Sequence, residues 1–151
     1  MVKITDYKNY WDHMAADITG LKSAVMVANE AQLKEKLKDI TDFPILVYTI
    51  PSATPASRDS DNTARKNSGL IFVLFRADAQ DKSDAYYMQY MAETQQIIET
   101  IETYMISDFQ VCESDYHQIM AGLDVNSFNQ DPEYNYLGCD GWSLSFKFVT
   151  E

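Results

Sequence analysis

Between Ser83 and Ser107 apolar side chains recur at Tyr87, Met91, Ile98, Ile101 and Met105, with Thr94 completing a 4-3-4-3-4 spacing. That period predicts one face of an amphipathic helix. Tyr90, Ile97 and Tyr104 widen the apolar stripe, while Gln89, Glu93, Gln96, Thr100 and Thr103 supply the wet side. Such a helix is roughly 36 Å long, enough to cross four or five strands spaced about 4.8 Å apart. The pattern predicts a sheet with this helix lying across it.

Phe43 to Ile50 (FPILVYTI) and Leu70 to Phe75 (LIFVLF) are nearly continuous apolar runs rich in β-formers. Runs of this kind suit central strands buried at least partly on both faces. Trp142, Leu144, Phe146 and Phe148 alternate with Ser143, Ser145, Lys147 and Val149, which predicts a half-buried antiparallel strand. Gly138-Cys139-Asp140-Gly141 supplies turn chemistry for a hairpin with a strand near Glu133 to Leu137.

In the N-terminal third, Tyr7, Tyr10, Trp11, Met14, Ala15 and Ile18 fall at helical spacing, behind a cap at Thr5 or Asp6 and before a stop at Gly20. Asn29-Glu30-Ala31-Gln32 reads as a capping box for a second helix, with Leu33, Leu37 and Ile40 inside and Lys34, Lys36 and Lys38 outside. Ala24 to Ala28 is a short apolar run that fits helix or strand. Phe109 to Val125 fits a short helix capped by Ser114 or Asp115 and stopped by Gly122, or a strand from about Leu123 to Phe128. The expected fold is α+β over a single domain, residues 1–151: a mainly antiparallel four- to five-stranded sheet packed by one long helix and shorter N-terminal helices. Residues 51–68 carry no large apolar side chain and are expected as a long inter-strand loop, either a functional arm or a disordered tip. A hairpin of the flanking strands would carry Arg58, Arg65 and Lys66 beyond the sheet edge.

Composition adds one feature of consequence. The net charge of −11 is concentrated: from Ser83 to Phe146 there are eleven Asp and Glu and no Lys or Arg, and the rest of the chain is balanced. A solvated surface accounts for such a block; an acidic face that meets a basic partner accounts for it more specifically. Direct DNA binding is disfavoured, because phosphate contacts need clustered Lys and Arg. No apolar run approaches the roughly 18 residues of a membrane span, and no apolar leader follows Met1, so a cytoplasmic protein is expected. Cys112 and Cys139 are expected as buried free thiols, without a disulfide or metal role.

No segment carries a complete motif for catalysis, a metal or a nucleotide. Asp124-Val125-Asn126-Ser127-Phe128-Asn129 begins like a calcium loop, but Phe128, Asn129 and Asn135 stand where the loop needs an oxygen ligand, a glycine and a glutamate. Gly20-Leu21-Lys22-Ser23 lacks the paired glycines of a phosphate loop. His13 and His117 have no metal-ligand spacing, and no serine or cysteine carries a nucleophile signature. Cofactors and metals are therefore expected to be absent. Tyr86, Tyr90, Tyr134 and Tyr136 fit an interface as well as the edge of a core.

The ending Gly141-Trp142-Ser143-Leu144-Ser145-Phe146-Lys147-Phe148, preceded by a turn-rich stretch and a long helix, resembles tail-completion or tail-terminator proteins of tailed phages and prophages. The resemblance extends over the opening helix, the strand with Phe43-Pro44, the inter-strand loop and the second strand. It implies a structural subunit without an active site, assembling into a ring, typically a hexamer, that caps the tail tube and contacts tube or head-side proteins, in the cytoplasm and then in the virion. On that basis the candidate contact residues are Arg58, Arg65 and Lys66 on the loop, and Glu93, Glu99 and Glu102 on the long helix of a neighbour. The competing expectation is a small acidic cytoplasmic module that binds a basic protein. An enzyme built on an unmarked carboxylate pair ranks below both.

Overall fold

A computed structural model describes residues 1–56, 63–76 and 83–151. Its central strand is β4, and the chain reaches it through α1 (Ile4–Asp17), β1 (Ala24–Val27), α2 (Glu30–Leu37), β2 (Ile45–Thr49) and β3 (Ser52–Pro55). β4 itself spans Arg65–Phe75, followed by α3 (Asp84–Gln110), the single turn α4 (His117–Met120), β5 (Leu123–Tyr136) and β6 (Cys139–Thr150). The fold is α+β, with a six-stranded sheet in the order β1-β2-β4-β6-β5 and β3 paired to β4 beside the end of β2. Among the described residues only β1 and β2, joined through α2, run parallel.

The apolar run in β4 is explained by burial on both sides. Ile71 and Val73 face one layer with Leu46, Tyr48, Leu144, Phe146 and Phe148, beneath α1, α3 and α4. Phe72 and Leu74 face the other with Ile45, Val47 and Cys139, beneath Leu33 and Leu37 of α2. On the first face Tyr7 lies parallel to Phe148 at 6.1 Å, and Trp11 lies 6.1 Å from Tyr48 and 5.9 Å from Phe146.

Several expectations change. The described residues form six strands rather than four or five, because Ala24–Val27 is a strand and because Ser52–Pro55 pairs with Arg65–Ser68. Residues 51–68 are therefore not one long loop. β2 stops at Thr49, which leaves the N-terminal half of β4 unpaired on that side until β3 continues the ladder; pairing, not propensity, makes this strand. The helix α3 follows the strands instead of crossing the whole sheet. Trp142 Nε1 donates to the Met91 carbonyl at 3.0 Å near one end, and Met105 joins Met120, Leu123 and Phe148 at the other. A helix is about 10 Å wide and five strands span about 24 Å, so lying along β4, β6 and β5 leaves room for α1 beside it.

At the termini of the helices, Ser83 caps α3 by accepting from Tyr86 N at 3.3 Å, and Asn29 Oδ1 accepts from Gln32 N at 2.9 Å. Gln32 Oε1 returns to Ala28 N at 2.7 Å, one residue before the usual capping-box partner. α1 starts earlier than Thr5 or Asp6, at Ile4, with no side-chain cap from Lys3. Residues 109–125 contain both alternatives, the turn α4 and then the start of β5. The stretch that begins like a calcium loop is a bulge in β5: Asp124 Oδ1 accepts from Asn126 N, and Ser127 Oγ accepts from Lys147 N at 2.7 Å. Cys139 is buried, where burial pushes its thiol up, but Cys112 is exposed beyond the end of α3. Among the described residues no helix is long and apolar enough to cross a membrane.

The β5–β6 turn is Leu137-Gly138, at φ 53° and 80°, as a two-residue hairpin with both φ positive requires. It is not the expected Gly138–Gly141. Gly141 instead sits in β6 at φ 150°, where an added Cβ would fall 2.0 Å from the Val73 carbonyl oxygen. Gly141→Ala should lose roughly 3 kcal/mol or more of stability in urea denaturation. At Gly138 no atom lies within 4 Å of an added Cβ, and Gly138→Ala should lose only about 1 kcal/mol. Equal losses would contradict the close approach at Gly141.

Candidate interaction surfaces

Alternation along β4 sends Arg65 and Lys66 to opposite faces, and both are exposed. They stand on a paired ladder, opposite Pro55 and Thr54 of β3 and Thr150 and Val149 of β6, rather than on a loop tip. Lys147 is opposite Ser68 and so diagonal to Lys66 on the same face, within about 8 Å. Arg58 lies outside the described residues.

The three helix acids do not form one surface. Glu93 accepts from Gln89 Nε2 at 3.0 Å and borders the same groove as Lys22 and Pro44. Glu99 accepts from Gln95 on the wet side. Glu102 is half-buried and accepts from Gln130 Nε2 of β5 at 2.5 Å, so its carboxylate is used within the subunit. At 100° per residue, Glu93 is about 120° around the helix from Glu99, too far to face one contact.

A groove of about 350 Å³ between α1 and the end of α3 gathers more chemistry than any sequence motif indicated, with Tyr10, His13, Asp17, Tyr104, Asp108 and Tyr116 along it. Asp108 is its bracket. One carboxylate oxygen accepts from the Tyr10 hydroxyl at 3.0 Å, the other from Ser114 Oγ at 2.6 Å, and the Asp108 carbonyl lies 2.9 Å from His117 Nδ1. His13 stacks on Tyr116 at 4.7 Å and pairs with Asp17 at 2.8 Å. These contacts tie α1, α3 and α4 together. Sequence spacing could not show them, because Tyr10 and Asp108 are joined only by the fold.

Comparison with known proteins finds no matching family model, no matching curated protein and no matching solved structure. The functional reading therefore rests on the surfaces themselves. Among the described residues no three His, Cys, Asp or Glu side chains are grouped to hold a metal ion.

The tyrosines divide by face. Tyr136 stacks on Phe72 at 4.9 Å on the α2 side, as part of the core edge. Tyr86 and Tyr90 approach to 4.4 Å, Tyr90 stacks on Phe75, and Tyr134 meets Tyr87, all at the start of α3.

Buried phenols give a pH signature. Burial, reinforced by the Asp108 charge and hydrogen bond, pushes Tyr10 far up from its ordinary value of 10.0. Burial does the same to Tyr7, and burial with Asp12 to Tyr48. The folded state thus holds these protons more tightly than the unfolded chain. Their contribution is complete below pH about 10 and is lost as pH rises toward the folded values. The urea midpoint should fall above pH about 10, with tyrosinate absorbance appearing together with unfolding, and Tyr10→Phe should flatten that fall.

Proposed function

We propose that this chain is a structural assembly subunit of the tail-terminator type: a protein that acts by ring formation and contact with tail-tube or head-side proteins, in the cytoplasm and then in the virion. The observation that carries the reading is charge separation between elements of one subunit. Exposed Arg65 and Lys66 occupy the N-terminal end of β4, while the acid-rich half of the chain supplies α3 and β5. A cationic end and an acidic body on one subunit favour head-to-tail contact, the arrangement that closes rings. Acidic walls also suit a passage for DNA that the protein does not itself bind.

Salt should act in two directions. Two copies of net charge −11 repel by roughly 13 kcal/mol at a separation of about 38 Å in water before screening. At 0.15 M salt the screening length is about 8 Å, which removes most of this repulsion but far less of an attraction between groups in contact. Association should therefore strengthen from about 0.01 M to about 0.15 M salt and weaken toward about 1 M.

Light scattering coupled to size-exclusion chromatography reads this profile, and negative-stain imaging should show a closed ring of about six subunits. Arg65→Ser with Lys66→Ser should weaken association by about tenfold and remove the decline at high salt. A monomer across the whole range that instead forms a salt-sensitive complex with a basic protein would replace this reading with the acidic binding module.

A further inference from the structure

β4 joins two chemically opposite ends of the molecule. Arg65 and Lys66 at one end form no ion pair among the described residues. At the other end, about 33 Å away along the strand, Phe75 lies 6.4 Å from the Tyr87 ring and 5.1 Å from that of Tyr90. Tyr134, 80% exposed, meets Tyr87 edge-on at 6.4 Å. Met88 is 64% exposed on the same helical stripe as Asp84 and Tyr87. Asp140 is paired with Phe75 in the ladder; its Oδ1 accepts from Asn135 N at 2.7 Å, which leaves Oδ2 for a partner, and its charge, after partial burial, helps to push the Tyr87 phenol up.

This combination is receptor chemistry for a cation. Aromatic faces attract a guanidinium or ammonium through their quadrupole, and adjacent carboxylates add charge-assisted hydrogen bonds. Exposed Tyr and Met are also the residue types that interfaces enrich, since tyrosine brings contact area at little entropy cost. We propose that the patch of Asp84, Tyr87, Met88, Tyr134 and Asp140 at the start of α3 receives the Arg65–Lys66 end of a second copy of this chain. The inference rests on the assembly reading and moves the receiving surface from Glu93, Glu99 and Glu102 to this end. Charge complementarity selects the occupant: patch against patch would oppose carboxylates, whereas patch against the β4 start joins opposite charges. Because the two surfaces lie at opposite ends of one strand, the contact is heterologous and leaves the bound pair with one free end of each kind, the cationic end on one copy and the patch on the other.

The test uses two variants of the full chain, Arg65→Ser/Lys66→Ser and Met88→Ser/Tyr134→Ser, in sedimentation velocity. All four positions are exposed, so an unchanged urea midpoint checks the fold; if either double variant fails that check, Lys66→Glu and Tyr134→Ala replace them. Each variant alone should self-associate at least about tenfold more weakly than wild type. An equal mixture should form a 1:1 heterodimer that grows no further, because one intact end remains on each partner. Wild-type-like assembly of the patch variant, or no heterodimer in the mixture, would overturn the patch and leave the assembly reading standing. Wild-type protein that stays monomeric at roughly millimolar concentration would overturn both. Wild-type monomer that binds an arginine-rich peptide in a Tyr134-dependent manner would assign the patch to a different protein and overturn the second copy as its occupant.

Discussion

Burial of β4 on both faces is the constraint on which the other elements depend. Ile71 and Val73 demand a helical layer on one side, and Phe72 and Leu74 demand another on the opposite side. The first demand places α1 and α3 next to each other, and the second places α2 over β1, β2 and the C-terminal half of β4. Where α2 ends, β4 continues with Lys66 and Ser68 exposed, and that change from apolar to polar along one strand produces the uncovered end. A strand buried throughout would have offered no cationic surface there.

The same strand connects stability to the proposed contact. Phe75 stands at the limit of the core and supports the half-buried Tyr87 and Tyr90, so the exposed Tyr134, which meets Tyr87, rests on a packed base. Rigid aromatic groups lose little entropy on binding, which favours such positions for recognition. The Asp108 bracket has the opposite character. Its two carboxylate oxygens are occupied inside the subunit by Tyr10 and Ser114, and it holds three helices in register. Carboxylates on one protein thus separate into those already used for architecture, such as Asp108 and Glu102, and those still available to a partner, such as Asp84.

Much of the framework was legible along the chain. The period of α3, the Asn29 cap of α2, the LIFVLF run and the alternation of β6 all follow from local rules, since helix and strand periods are properties of neighbouring residues. Ser52–Pro55 was not legible, because Thr54 is its one strand-favouring residue and the unpaired side of β4 recruits it. The turn was displaced by two residues for a similar reason: Gly141 serves a close backbone approach from Val73, which is remote in sequence.

What the sequence determined by itself was the type of the strongly periodic elements, the sidedness of α3 and the uneven placement of charge. Which charges act together was decided by the tertiary structure. Glu93, Glu99 and Glu102 are close in the chain but point in different directions around a helix, while Tyr134, Tyr87 and Asp140 are distant in the chain and meet at one end of the sheet. Periodicity is set by bonds between near neighbours and can be read locally; a surface is set by strand register and helix placement, which exist only after the chain has folded.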